Sequence, residues 1–427
     1  LGPSMRFGCR HWRLSLGGRL LLLATGSVIL RRKAVSFTMS KSPQIFVVGN
    51  EAADVDSLVS AYAMAQLLNN SVSAVALAQI PREEFRLRGD AVAAFREAGS
   101  KVLPDGSPMA MTFWDEVDWA EVDQIETRSL VLVDHNKMTD QVAAHFKAHQ
   151  VRQVLDHHAG GIAYPDASNM IDESLGSCCS LVVEEFAKAA ETKLNKELGT
   201  LLASAILLDC RNFDPDAKKG TSRDVEALGH LKSTLGVPVK DDKSWYKELM
   251  EARKDVSHLS VRDLMLLDTK VVTLRGLRVA VCSIFGTARE VISMAGSPME
   301  VAKIAKVLAK DRGYDAVILL FSKDKSMGKR RALAFIPMGD SSESTESVTL
   351  PSKTLCEDIA KQMCETPGNL PETLRENPLY QTQGLVENGF EMQLLKELQP
   401  LDVYTLRGEV SRKTVLPFAT MVAELVP

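Results

Sequence analysis

Residues 151–158 read VRQVLDHH, an apolar, β-branched run that stops on Asp156, His157 and His158. Three other stretches share this layout. IFVVGNEAADVDS carries Asn50, Asp54 and Asp56; LVLVDHN carries Asp134, His135 and Asn136; SAILLDCRNF carries Asp209. A short apolar run bounded by polar residues reads as a buried parallel strand, or as a piece of buried helix. Helical patterns from Ser57 to Leu68 and from Leu181 to Ala190 separate the runs, so the local order is strand, helix, strand. That order predicts a parallel sheet with helices on both faces. The ligand crevice of such a sheet lies beyond the carboxyl ends of its strands, where all four polar clusters converge.

Carboxylates with one or two imidazoles suit Mg²⁺, Mn²⁺ or Co²⁺ better than the sulfur-rich sites of structural zinc. Two divalent ions roughly 3.5–4 Å apart can share one carboxylate, acidify water and stabilise both ends of an in-line phosphoryl displacement. Asp134 is the natural bridging residue. A lone D-x-D is most often a helix cap or a solvated strand end. Four such clusters in register favour a two-metal phosphate site.

The order N-x-x-x-D-x-D-S, V-D-H-N, D-H-H and then L-D resembles the DHH phosphoesterases, in the branch of exopolyphosphatases, prune-type proteins and family II inorganic pyrophosphatases. The resemblance runs from about Ile45 to the C-terminus. It implies an α/β fold: an N-terminal parallel-sheet domain, a C-terminal α/β accessory domain, and an active site in the cleft between them. It also implies Asn50, Asp54 and Asp134 around one metal, and Asp56, Asp134, His157 and Asp209 around the other. Asp134 and His158 become the catalytic residues, with His158 facing substrate phosphate and His135, beside the bridging acid, also binding substrate. Family II pyrophosphatases carry a histidine where this chain has Asn50, and the harder oxygen donor favours Mg²⁺ over Mn²⁺ or Co²⁺. Lys270, after LLDT, matches a phosphate-binding lysine, and Arg412 and Lys413 in EVSRKTVLP match the S-R-K signature of the accessory domain. Ser177 and its neighbours match a G-S-C run whose backbone N–H groups approach phosphate, although an ordinary helix cap reads equally well.

Charge narrows the substrate class. The chain's net charge is −4, but the first 38 residues hold seven Lys/Arg and no acid, leaving 44 basic against 55 acidic side chains in residues 39–427, a net −11. So anionic a body is no general nucleic-acid binder, and the low aromatic content offers no base-stacking platform. Polyanion recognition must come from metals and a local basic cleft. Seven cysteines without metal-finger spacing point to a reducing compartment.

The expected organisation is an N-terminal extension over 1–41, a catalytic domain over 42–236 and an accessory domain over 245–427, hinged near Ser233 to Ser244. The extension reads as a targeting segment, secretory or mitochondrial, or as sequence upstream of a start at Met39. The last of these implies a cytoplasmic protein. A basic run from Lys323 to Arg331 is either a solvated hairpin tip or a channel lining for a longer polyanion. These readings together predict a monomeric exopolyphosphatase with two divalent cations, acting on short-chain polyphosphate and binding neither nucleic acid nor membrane. The alternatives are an inorganic pyrophosphatase, a cyclic-nucleotide phosphodiesterase and a non-enzymatic scaffold.

Overall fold

The computed structural model describes residues 44–69, 71–189, 194–237, 241–324, 331–338, 351–365, 393–399, 401–406 and 412–425. The N-terminal extension, most of the basic run and the polar, acidic sequence GDSSESTES at 339–347 lie outside them. Six strands, β1 (Gln44–Val48), β2 (Ser73–Ala78), β3 (Thr112–Phe113), β4 (Ser129–Val133), β5 (Val151–Asp156) and β6 (Ser168–Ile171), form the first sheet. Its order is β3-β2-β1-β4-β5-β6, and every pairing is parallel. Order reverses between β1 and β4, which is where such sheets open a crevice.

Both faces of the sheet's centre are covered, so β1 and β4 are buried along their whole length rather than alternating. Ile45, Val47, Val131, Val133 and Leu155 pack on one face with α1 (Val55–Leu68), α2 (Gly89–Glu97), α5 (Cys178–Lys188), α6 (Lys196–Asp209), α7 (Ser222–Leu235) and α8 (Asp242–Lys254). Phe46, Val48, Leu130, Leu132 and Val154 pack on the other, under the short helices α3 (Trp119–Val122) and α4 (Asp140–Ala143).

One apolar run takes the helical option. SAILLD lies in α6, not in a strand: Asn195 caps the helix by accepting from Leu198 N at 2.8 Å, and every residue from Leu198 to Leu208 is buried. A helix enclosed by α1, α5, α7 and α8 is apolar all round, so its sequence has no polar stripe to reveal its period.

The second half holds a mixed sheet of β7 (Thr269–Leu274), β8 (Leu277–Ser283), β9 (Ala316–Leu320), β10 (Arg331–Pro337), β11 (Gln393–Leu394) and β12 (Val403–Leu406), in the order β11-β12-β10-β9-β8-β7. Among the described pairings β8 and β9 run parallel and the rest are antiparallel. One face packs on α9 (Val261–Leu267), α10 (Ala288–Ala295) and α11 (Pro298–Arg312). The other packs on α12 (Pro351–Glu365) and α13 (Arg412–Leu425). Ser233 lies inside α7 and Ser244 inside α8, so the connection there is shorter than the expected hinge. Trp245 and Leu249 of α8 are buried in the first core, and the Trp245 indole donates to Ser204 Oγ at 2.9 Å. Beyond α8, the chain joins the second core from Leu259 onward. No helix among the described residues is long and apolar enough to cross a membrane.

Candidate metal centre

Gly49 follows β1 where the first turn of α1 comes closest: a Cβ there would lie 2.3 Å from Ser57 Oγ and 2.8 Å from the Ser57 carbonyl oxygen. Only glycine allows that approach. Asn50 N donates to Ser57 Oγ at 2.6 Å, and Asp54 caps α1 by accepting from Ser57 N at 3.0 Å. The Asn50 side chain is fully engaged. Its Oδ1 accepts from Ala52 N (2.9 Å) and Ala53 N (3.1 Å), and its Nδ2 donates to Asp134 Oδ2 at 2.7 Å. Flipping the amide would oppose donors to donors, so the orientation is fixed by its neighbours. The oxygen expected to face a metal is held by the loop, and the amide nitrogen orients Asp134.

Asp134, at the end of β4, is buried and adopts φ +62°. A left-handed non-glycine residue costs on the order of 1 kcal/mol or more. The backbone here is held by Asp134 N donating to the Leu155 carbonyl at 2.8 Å. Next to it, His135 Nδ1 lies 2.9 Å from the Val133 carbonyl, and its buried Nε2 has no hydrogen-bond partner among the described residues. Burial pushes His135 toward its neutral form. With Nδ1 donating to Val133, neutral His135 presents a lone pair at Nε2, so it must be protonated before it can donate to a phosphate oxygen.

The D-H-H run at the end of β5 divides three tasks. Asp156 is fully buried; its Oδ1 accepts from His157 N and faces His158 Nδ1, both at 2.8 Å, and its Oδ2 accepts from Asn136 Nδ2 at 2.7 Å. It therefore orients His158, which is exposed and turns Nε2 away from Asp156. His157 Nδ1 lies 3.1 Å from the Leu175 carbonyl. That contact holds a proton on Nδ1, so a neutral His157 presents a lone pair at Nε2, 3.2 Å from Asp134 Oδ1 and 3.6 Å from Asp56 Oδ2.

Asp56 is held by the N-terminus of α5. Its Oδ1 accepts from Ser177 Oγ (2.8 Å) and Cys179 N (2.9 Å), and its Oδ2 accepts from Cys178 N at 2.7 Å. These are the N–H groups that the resemblance aimed at phosphate; in the fold they serve a carboxylate. Asp224, fully buried at the start of α7, fixes this turn by accepting from Gly176 N (3.0 Å), Ser180 Oγ (2.6 Å) and Thr221 N (2.7 Å). Asp209 ends α6 and is followed by a left-handed turn through Arg211, Asn212 and Phe213, with φ of 49°, 52° and 55°.

Two overlapping groups result, Asp134 with His157 and His158, and Asp56 with His157 and Asp209, each with ligand atoms within 4.8 Å of one another. Asp134 Oδ1 is buried with no hydrogen-bond donor among the described residues, and the nearest ring atom, Nε2 of a neutral His157, presents a lone pair. Acceptors that converge in this way repel one another unless a cation lies between them, and oxygen with imidazole is a donor set that hard divalent cations accept. The residues fit divalent metal. Burial, and then the charges of Asp56 and Asp54, push the carboxyls of Asp134 and Asp209 well above the usual carboxylate range. Cation binding reverses that penalty.

The expected anion-binding residues are less confined. Lys270 is exposed on β7, an edge strand. Arg412 and Lys413 open α13, and their side chains lie outside the described residues. The D-H-H motif assigns Asp156 no task of its own. Two arginines near the acids carry no sequence signal: Arg253 pairs with Asp90 and faces Asp209 and Asp54, and Arg88 braces the Asn50 loop. No local motif surrounds either arginine; the L-R-G-D context of Arg88, between a polar turn and a helix, is the nearest to a signal.

This geometry, a parallel α/β sheet with acids and histidines at its switch point and a second α/β domain beyond, defines a class that the family comparisons identify. Residues 44–206 match the DHH family, N-terminal domain, and residues 247–422 match the DHHA2 domain. The chain thus carries a DHH N-terminal domain followed by a DHHA2 domain. It is 31% identical over 282 residues to exopolyphosphatase PRUNE1 of Rattus norvegicus, covering 65% of this chain and 59% of that protein. The Homo sapiens exopolyphosphatase PRUNE1 is 32% identical over 248 residues, covering 57% of this chain and 52% of that protein. The matched region spans 52 to 63% of the length of the mammalian relatives. The manganese-dependent inorganic pyrophosphatase of Bacillus subtilis is 26% identical over 285 residues, covering 65% of this chain and 82% of that protein. Among solved structures, a putative family II inorganic pyrophosphatase of Methanococcus jannaschii shares the fold, with a TM-score of 0.51 at 18% identity over 89% of this chain and 99% of that one.

Proposed function

We propose that the chain is a metal-dependent exopolyphosphatase that releases orthophosphate from the end of short-chain inorganic polyphosphate. Asp54, Asp56, Asp134, His157 and Asp209 would hold two divalent cations, Mg²⁺ first and Mn²⁺ or Co²⁺ as alternatives, with Asn50 fixing the Asp134 carboxylate. The observation that carries this reading is the convergence of His157 Nε2, Asp134 Oδ1 and Asp56 Oδ2. Bound divalent cations supply Lewis acidity, polarising phosphoryl oxygens and acidifying water.

The protein's own groups supply the rest. Asp156 holds His158 by Nδ1, so Nε2 is the atom that would pass a proton to the leaving phosphate oxygen. Its buried carboxylate is placed to stabilise the imidazolium that this role requires. Lys270, Arg412 and Lys413 would neutralise the remaining phosphates, with His135 beside them. The two halves, divided after α8, would close over substrate. Relatives named exopolyphosphatase at 30 to 32% identity favour polyphosphate. The second reading, inorganic pyrophosphatase, is supported by the Bacillus relatives, matched over most of their length.

Orthophosphate release by the full chain with Mg²⁺ or Mn²⁺ tests this, using short-chain polyphosphate, long-chain polyphosphate, pyrophosphate and cyclic AMP, with Asp134→Asn and a chelator as controls. Cation-dependent release from polyphosphate that leaves pyrophosphate supports the proposal. Turnover of pyrophosphate or cyclic AMP alone replaces it with that activity, and silence on all four leaves a binding or scaffold role.

A further inference from the structure

Residues 84–89 lie within the DHH match, yet their contacts reach into the second half. Glu84 pairs with Arg312 at the end of α11. Arg86 Nη2 donates to Asp263 Oδ1 of α9 at 2.6 Å, and Asp263 Oδ2 in turn caps that helix through Ser260. Leu87, 5% exposed, is part of the core built from Leu264, Met265 and Val301. Gly89 approaches α8 so closely that a Cβ would stand 2.2 Å from the Ala252 carbonyl oxygen. The segment is thus a strap fastened to α8, α9 and α11.

The strap also holds the candidate metal centre through one side chain. Arg88 donates from Nε (3.1 Å) and Nη2 (2.7 Å) to the Ala52 carbonyl, and from Nη1 to the Glu84 carbonyl at 3.0 Å. Its charge faces the carboxylates of Glu84, Asp54, Asp90 and Asp268. Ala52 lies in the loop whose N–H groups fix Asn50 Oδ1, and the next residue, Ala53, is left-handed at φ +48°. A strained loop keeps its shape only where its surroundings determine it. Two guanidinium donors on one carbonyl do so in a way that a single ammonium cannot.

We infer that Arg88 is a positioning residue: through the 84–89 strap it ties the seating of the second half to the shape of the Asn50–Asp54 loop, and so to the affinity of the cation site. Substrate binding that draws the halves together would tighten cation binding, and cations would favour closure to the same degree, as linkage requires. This inference rests on the cation-site reading given above.

Isothermal titration of the full chain with Mn²⁺ tests it. Arg88→Ala is expected to weaken Mn²⁺ binding roughly ten- to a hundredfold, as loss of a ligand-orienting partner does. Arg88→Lys, which keeps the charge and loses the fork, falls between it and wild type, and is the variant read if Arg88→Ala melts below the assay temperature. Arg312→Ala touches neither the loop nor any candidate ligand, yet is expected to weaken binding about two- to tenfold. The double variant should be no weaker than Arg88→Ala alone, since both act through one link. Wild-type affinity in the Arg88 variants, or weakening there with Arg312→Ala unchanged, overturns the coupling. A wild-type chain that takes up no Mn²⁺ overturns the cation site itself, a distinct result.

Discussion

Asp56, Asp134 and Asp156 in the first half and Lys270 in the second carry opposite charges and are held in opposite ways. Each of the three acids is buried and accepts hydrogen bonds from neighbours that are themselves fixed: the α5 N-terminus for Asp56, the Asn50 amide for Asp134, and His157 N, Asn136 and His158 for Asp156. Lys270 stands exposed on an edge strand. Cation ligands need fixed geometry, whereas a mobile ammonium can follow a flexible chain of phosphates as a point charge. Variants of the two regions should therefore fail differently.

The largest effect is expected at Asp134. Asp134→Asn should lower orthophosphate release by more than about a hundredfold, beyond what loss of an outer partner of a metal ligand costs. Initial rates at saturating substrate and cation check it. Asp224 comes next, because it supports the acidic region without being one of the candidate ligands. Asp224→Ala strands Gly176 N and Ser180 Oγ in the core and should cost about 2–4 kcal/mol of stability, read by urea unfolding.

Lys270→Ala sharpens the contrast. It should raise KM roughly tenfold for polyphosphate, the scale of one charge-assisted contact, while Mn²⁺ affinity stays at the wild-type value. A matching loss of cation affinity would mean that the two regions are one rigid unit. The smallest effect belongs to the Arg86–Asp263 pair across the halves. Partial burial of Asp263 opposes its ionisation, but hydrogen bonds from Arg86 and Ser260 outweigh it and hold the carboxyl below its usual value. The stability that this shift contributes is complete above the unfolded pKa, near 4, and is lost as pH falls through the lower folded value. Arg86→Ala should therefore cost less than about 1 kcal/mol at neutral pH and still less at about pH 3, by denaturant unfolding at each pH.

Strand-end acids were legible because β1, β4 and β5 are apolar runs cut off by polar residues, and a doubly covered parallel sheet leaves that mark. Asp209 was legible as a candidate ligand but not as a helix end. Because α6 is enclosed by other helices, burial on every side erased its period, and only the Asn195 cap and the length of the run remained as clues. The task of Asn50 was hidden for another reason. Whether an asparagine presents oxygen or nitrogen depends on a carboxylate 84 positions away. Arg88, Arg253 and Asp224 escaped because their partners are distant in sequence, and no local pattern distinguishes a bracing arginine or a buried cap from a solvated one. Ser177 shows the converse: its helix N-terminus was visible, but the anion it binds is the protein's own Asp56.

Counting Mn²⁺ bound by the full chain, from the electron paramagnetic resonance signal of the free ion during titration without phosphate, tests the central claim most directly. Two ions per chain for wild type, with fewer for both Asp134→Asn and Asp209→Asn, is the predicted result. A wild-type chain that binds none, or one whose binding is unchanged by both substitutions, would contradict the assignment of the acids at the start of α1 and the ends of β4 and α6 as a divalent-cation centre.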